Sequence, residues 1–224
     1  MLDDFFSAVE GGKISTVKEY LQENPGLVHA ARGLEQAIHI ASAQNYPEIV
    51  ELLIHLGADP NARGEDGKTP LHFAAGYSPG AAKVLIADGA DVNAIDDFGC
   101  TPLVPAILEQ TQEGDEIIKL LRNAGASYDL TPAALLGDLE RIKEILKDDP
   151  KAISKVSLPE ENLLPGILAV GHASLSDREE ILKLLFAHGL NVDKDKLLKY
   201  AECCDISKLL NFARILRENA EKAT

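Results

Sequence analysis

The sequence predicts an all-α fold, an α-solenoid of about six helix-pair repeats with short β-hairpin fingers and a C-terminal capping helix region. Two independent markers recur at one spacing. Gly-Ala-Asp occurs at 57–59 and 89–91, and Gly-x-Thr-Pro-Leu occurs at 67–71 and 99–103. Both intervals are 32 residues, close to the period of known helical repeats. A chain of 224 residues therefore has room for six or seven such units.

Apolar residues at helical spacing indicate the second helix of each repeat. Residues 48–56 place Ile49, Leu53 and Leu56 on one face, and Gly57 follows as a helix stop. The same pattern precedes three later glycines and predicts helices over 83–87, 115–122 and 178–187.

The first helix of each repeat is shorter and rich in alanine, which lets neighbouring helices approach closely. The pattern predicts these helices over 37–43, 71–75 and 103–108. Helices this short bury too little apolar surface alone, so they must stack on neighbouring repeats.

The outer repeats are found by comparing the chain with itself. Residues 8–25 align with residues 133–150 at a constant offset of 125, so that Gly12 meets Gly137. Each segment carries one apolar stripe, and its members are Ile14, Val17 and Leu21 in the first and Leu139, Ile142 and Leu146 in the second. This divergence is typical of a first and a fifth repeat.

These observations predict one domain over residues 1–224, because no linker rich in Gly, Ser or Pro interrupts it. The predicted repeats are 1–33, 34–66, 67–98, 99–130, 131–161 and 162–195, with a cap over 196–224. Thr69 lies 12 positions after Gly57, and Thr101 lies 12 positions after Gly89, which is enough for a β-hairpin finger. Thr131 lies only six positions after Gly125, so we expect no finger there.

Composition excludes several classes of protein. The chain is 46% hydrophobic and 26% charged, which is typical of a globular protein. It has no run of about 18 apolar residues, so we expect no membrane span, and its acidic N-terminus is unlike a signal peptide. A net charge of −14 repels nucleic acid. Three cysteines, two of them adjacent, favour a reducing compartment, and we expect a cytoplasmic monomer.

One segment carries a resemblance to a known family. Residues 69–74, Thr-Pro-Leu-His-Phe-Ala, match the ankyrin signature T-P-L-H-x-A at every defined position. Residues 57–62 and 89–94 resemble the family's inter-repeat finger. The resemblance implies an ankyrin-repeat α-solenoid that binds proteins through a concave face of finger tips and first helices. It also implies that His72, and His39 in the repeat before it, hold a loop to its neighbour.

The sequence predicts no catalytic, cofactor-binding or metal-binding residue. No H-E-x-x-H motif or phosphate-binding loop occurs, and Cys203 and Cys204 are too close in sequence for usual zinc ligands. We therefore expect no enzyme activity, no cofactor and no metal. A hydrolase or metal-dependent enzyme is the least favoured alternative, and His172 or His188 would be the residues to test.

The resemblance places the candidate binding residues on finger tips and at the ends of first helices. Tyr77 and Phe98 stand out because the chain has only eleven aromatic residues, and exposed aromatics tend to be hot spots. Cys100 falls on the same fingertip pattern. The candidate set is Gln44, Glu65, Asp66, Lys68, Tyr77, Asp97, Phe98 and Glu109.

Charge is concentrated in the regular repeats. Residues 1–130 hold 20 acidic and 8 basic side chains, whereas residues 131–224 hold 16 and 14. This distribution favours a basic protein partner on the first four repeats. The alternative is a regulatory subunit or inhibitor that masks a basic surface of an enzyme. Asn93 resembles sites of asparaginyl hydroxylation in eukaryotic ankyrin proteins, but a hydrogen bond to the finger backbone is the favoured role.

Overall fold

The computed structural model describes residues 1–156 and 175–190, in which short helices follow one another in pairs. A first compact unit spans Met1–Ser127, and a second begins at Tyr128. The helices of the first unit are α1 (Leu2–Glu10), α2 (Ile14–Glu23), α3 (Ala37–Ala43), α4 (Pro47–His55), α5 (Pro70–Tyr77), α6 (Pro79–Ala87), α7 (Leu103–Leu108) and α8 (Gln112–Asn123). Those described in the second are α9 (Leu130–Leu136), α10 (Leu139–Asp148) and α11 (Leu175–Ala187).

The first unit packs its helices in two layers. First helices pack on first helices, since α3 contacts α5 and α5 contacts α7. Second helices do the same, since α4 contacts α6 and α6 contacts α8. The buried apolar side chains of α3, α5 and α7 are small or aliphatic, among them Ala37, Ile38, Leu71, Ala74, Leu103 and Ile107. The predicted helix-pair repeat and its stacking are therefore confirmed.

Capping residues set where these helices begin. Pro70 and Pro79 occupy the first positions of α5 and α6, where a missing N–H costs nothing. The Thr111 hydroxyl accepts a hydrogen bond from the Gly114 N–H at 3.0 Å at the start of α8. Helix α6 is four residues longer than the apolar pattern alone predicted, because Pro79 starts it before the first large apolar side chain.

The predicted fingers differ from one another. The two strands of the described residues, β1 (Ala31–Arg32) and β2 (Glu35–Gln36), pair antiparallel in a hairpin that precedes α3. The two long loops, over residues 57–69 and 89–101, contain no strand. They turn back instead through backbone hydrogen bonds from Gly64 to Lys68, 2.8 Å, and from Asp96 to Cys100, 3.0 Å. Residues 124–129 join α8 to α9 directly, so the expected absence of a finger there is confirmed.

The offset of 125 residues is visible in the backbone. Gly12 and Gly137 both have left-handed φ, 64° and 74°, between the two helices of a pair. The residue after each glycine donates to an equivalent carbonyl, Lys13 to Ala8 and Asp138 to Ala133, both at 2.9 Å. The first and fifth repeats thus have the same turn.

In the second unit, α9 packs on α10 and α10 packs on α11. The predicted cap at 196–224, with Cys203 and Cys204, lies outside the described residues, as does His172. The repeat boundaries and the single continuous stack stay predictions. Within the described ranges, no helix is both long enough and apolar enough to cross a membrane.

Candidate functional site

Two buried histidines tie loops to the helices beside them. The Thr69 N–H donates to Nδ1 of His72 at 3.1 Å, so this nitrogen carries no proton and Nε2 carries one. Nε2–H donates to the Cys100 carbonyl at 3.0 Å. His39 repeats the arrangement with Gln36 and with the Ala62 carbonyl, 2.9 Å. Burial lowers the pKa of both imidazoles, so both are neutral bridges, as the resemblance implied.

Two asparagines connect successive loops in the same way. Asn61 donates to the Gly89 carbonyl at 3.2 Å and accepts from the Asp91 N–H at 2.7 Å. Asn93 donates to the Gly125 carbonyl at 3.2 Å and accepts from Ser127 at 2.6 Å. The Asn93 side chain therefore bonds to the backbone of the next inter-repeat segment, at Gly125 and Ser127, and not to that of its own finger as expected.

Five candidate residues lie together at the tips of the two long loops, and we call them the fingertip cluster: Glu65, Asp66, Lys68, Asp97 and Phe98. The carbonyl of Asp66 accepts a hydrogen bond from the Asp97 N–H at 2.9 Å, which joins one loop to the next. Arg63 reinforces this contact. Its guanidinium donates to the Ile95 carbonyl at 2.8 Å and to Oδ1 of Asp97 at 2.9 Å.

Phe98 projects from this cluster with 51% of its surface exposed. The ammonium of Lys68 lies 5.9 Å from its ring centroid and 3.0 Å from Oδ2 of Asp66. Asp96 holds the loop below, because its carboxylate accepts from the N–H groups of Phe98, 3.0 Å, and Cys100, 2.8 Å. The aromatic ring is thus exposed on a hydrogen-bonded loop.

The other three candidates lie at the C-terminal ends of α3, α5 and α7, and we call them the helix-end row: Gln44, Tyr77 and Glu109. Ser78 links the first two positions by donating to the Ala43 carbonyl at 3.0 Å. Glu109 packs over Gly76, where an added Cβ would lie 3.7 Å from Cγ and 3.8 Å from Oε1. Tyr77 is 59% exposed.

The structure thus brings the eight candidate residues into two groups. The expectation that Cys100 also lies on a fingertip surface is wrong. Cys100 is buried, and burial raises the pKa of its thiol to about 11. Sequence reasoning missed Arg63, whose pairing with Asp97 depends on how the loops stack. It also missed two apolar side chains on the loops, Leu34 and Ile95, which are 67% and 56% exposed.

No metal-binding group of three or more His, Cys, Asp or Glu side chains occurs among the described residues. His188 lies at the end of α11, where Nδ1 bonds to the Leu184 carbonyl at 2.8 Å. The absence of a metal site and of enzyme activity stays a prediction.

Comparison with known proteins assigns the family. Residues 5–96 and 38–132 match the family described as ankyrin repeats, in three copies, and together they cover more than half of the chain. The chain belongs to the ankyrin-repeat family. Ankyrin repeats are protein–protein interaction modules, so the coarse function is protein binding.

Similar proteins occur in Mus musculus, Rattus norvegicus and Rickettsia bellii. Protein phosphatase 1 regulatory subunit 12A from Mus musculus and from Rattus norvegicus is 36% identical over 88 residues, 39% of this chain and 8% of that protein. An ankyrin repeat protein of Rickettsia bellii (strain RML369-C) is 35% identical over 147 residues, 64% of this chain and 56% of that protein. The chain therefore covers less than two thirds of each of these relatives.

Proposed function

We propose that this ankyrin-repeat chain is a non-enzymatic scaffold that binds a partner protein through the fingertip cluster and the helix-end row. The exposure of Tyr77 and Phe98 carries the proposal. The chain has only eleven aromatic residues, and each of these two exposes more than half of its surface. Tyrosine and phenylalanine are enriched in the cores of protein interfaces, and tyrosine is also enriched among hot spots.

The proposed binding surface suits association because hydrogen bonds hold its loops in place before a partner binds. Arg63, Asp66 and Asp97 join the two long loops, and Asn61 and Asn93 tie each loop to the next. Little conformational entropy is then lost on association, which leaves more of the contact energy for affinity.

The excess of acidic side chains over residues 1–130 supports a partner protein with a basic surface. Residues 1–130 hold 20 acidic and 8 basic side chains. On the face itself, Lys68 is already paired with Asp66, and the described residues offer no ion-pair partner to Glu65. A positively charged partner would be steered to this surface, and salt would weaken the encounter.

The test is affinity purification from the native source with wild-type chain and with a variant in which Glu65, Asp66, Tyr77 and Phe98 are all replaced by alanine. We expect the specific partners to be lost from the variant. A matched control replaces four exposed residues of second helices, Glu48, Glu51, Lys83 and Glu116, and should keep every partner. Unchanged capture by the first variant would contradict the proposal.

A second candidate function is regulation of an enzyme by covering a basic surface. The observation that favours it is the 36% identity with a phosphatase regulatory subunit over 88 residues. We expect such a complex to weaken about tenfold or more between 50 and 300 mM salt, because exposed charges are screened. Recovery of only non-enzyme partners would exclude this candidate and leave the scaffold function intact.

A further inference from the structure

The fingertip cluster contains an aromatic ring, a carboxylate and a cation that satisfy one another within the chain. Lys68 lies 5.9 Å from the Phe98 centroid and 3.0 Å from the Asp66 carboxylate. A cation within about 6 Å of a ring face is attracted by the ring's quadrupole. Phe98 therefore meets a partner with its own cation already in place.

The helix-end row also contains an aromatic ring and a carboxylate, those of Tyr77 and Glu109, but it contains no cation. Tyr77 is 59% exposed, and Glu109 packs over Gly76, the residue before it. Over residues 1–156 and 175–190, neither the Tyr77 side chain nor the Glu109 carboxylate has an ion-pair or hydrogen-bond partner. Leu108, which precedes Glu109, is 37% exposed and adds apolar surface.

We propose that Tyr77 and Glu109 form a subsite for an arginine side chain of the partner. The inference rests on the proposed function and identifies one chemical group that the partner presents. The guanidinium stacks on the Tyr77 ring while its N–H groups donate to the Glu109 carboxylate, and Leu108 contacts the apolar stem.

Arginine suits this subsite better than lysine does. The guanidinium is planar, so one plane stacks on an aromatic ring while its edge donates two parallel hydrogen bonds to a carboxylate. The lysine ammonium is a compact, strongly hydrated charge that makes only one of these contacts well. The excess of acidic side chains over residues 1–130 attracts either cation, so the geometry of the subsite provides the discrimination.

The test uses a random peptide library displayed on phage and selected on the whole chain. We expect arginine to be enriched over lysine in peptides selected on the wild type. The arginine excess should fall to the level of the unselected library with Tyr77→Leu and with Glu109→Gln. For the strongest peptide, replacing its arginine by lysine should raise Kd about threefold to fivefold on the wild type and less than twofold on Tyr77→Leu.

Two matched variants serve as controls. Glu51→Gln removes the same charge from the exposed side of α4 and should keep the arginine excess. Phe98→Leu should weaken the peptides and still keep the excess, because the Phe98 ring has Lys68 as its cation.

The outcomes separate this subsite from the proposed binding face. Peptides that weaken with Phe98→Leu but show equal use of arginine and lysine would refute the arginine subsite alone. Peptides that bind the wild type and the quadruple alanine variant equally, or a library that yields no binder, would refute the binding face and the subsite together.

Discussion

Replacement of His72 by phenylalanine tests the histidine bridge, because it keeps a ring of similar size and removes both nitrogens. The Cys100 carbonyl then loses a donor at 3.0 Å, and the Thr69 N–H loses an acceptor at 3.1 Å. Both groups belong to buried residues. A buried polar group without a partner costs about 1 to 3 kcal/mol, and the more apolar ring offsets part of this. We expect the free energy of unfolding to fall by about 3 kcal/mol.

The assay is equilibrium unfolding in urea at pH 7.5, followed by far-UV circular dichroism. His55→Phe is the matched control, since His55 is exposed at the end of α4 and should change stability by less than about 0.5 kcal/mol. A loss below about 1 kcal/mol in His72→Phe, or an equal loss in His55→Phe, would refute the bridge as a stabilising contact.

The same variant alters the dependence of stability on pH. Burial lowers the pKa of His72 below its ordinary 6.5, so the unfolded chain binds a proton more readily than the folded chain. The stability that this imidazole provides is complete above pH 6.5 and is lost as the pH falls towards the lowered pKa. Between pH 7.5 and 5.5 we expect wild-type stability to fall more steeply than that of His72→Phe, with His39 contributing to the slope that remains.

Two other predictions concern the long loops. Gly67→Ala should destabilise the chain by about 1 kcal/mol more than Gly33→Ala: the two positions have nearly the same positive φ, 67° and 70°, but only at Gly67 does an added Cβ meet the side chains of Arg63 and Asp97. Urea unfolding measures the difference, and equal losses would contradict the packing. Cys100 should react very slowly with iodoacetamide at pH 8, because a thiol with a pKa of about 11 is about one-thousandth thiolate there. Peptide mass spectrometry measures the rate, which should rise sharply in urea; fast labelling of the folded chain would show that Cys100 is accessible.

Much of the fold follows from local signals in the sequence. A glycine after an apolar stripe predicts the end of a helix, and Gly57 and Gly89 have the positive φ, 100° and 86°, that this role requires. Helix α3 has the bounds that its alanine-rich pattern predicted. The start of α6 was predicted four residues late, because proline in a first turn is a helix signal that the apolar pattern does not contain.

The arrangement of the candidate site depends on contacts between repeats, which the sequence pattern does not contain. Lys68 and Phe98 lie 30 positions apart, and only the stacking of two loops brings the ammonium near the ring. The burial of Cys100 has the same origin. Its position in the loop resembles that of Lys68, but Asp96 and His72 hold its backbone against α5.

The asparagine contacts explain how the repeats tolerate changes of length. Asn61 binds Gly89 and the residue two positions later, and Asn93 binds Gly125 and Ser127 in the same register. The two glycines lie 36 residues apart rather than 32, yet the contact is unchanged. The extra residues lie between Gly89 and Gly125. Most of them lengthen the second helix of that repeat, since α8 has twelve residues whereas α6, the second helix of the repeat before it, has nine. A repeat of this fold can therefore be longer in its second helix while the asparagine contact at its junction with the next repeat keeps the same geometry.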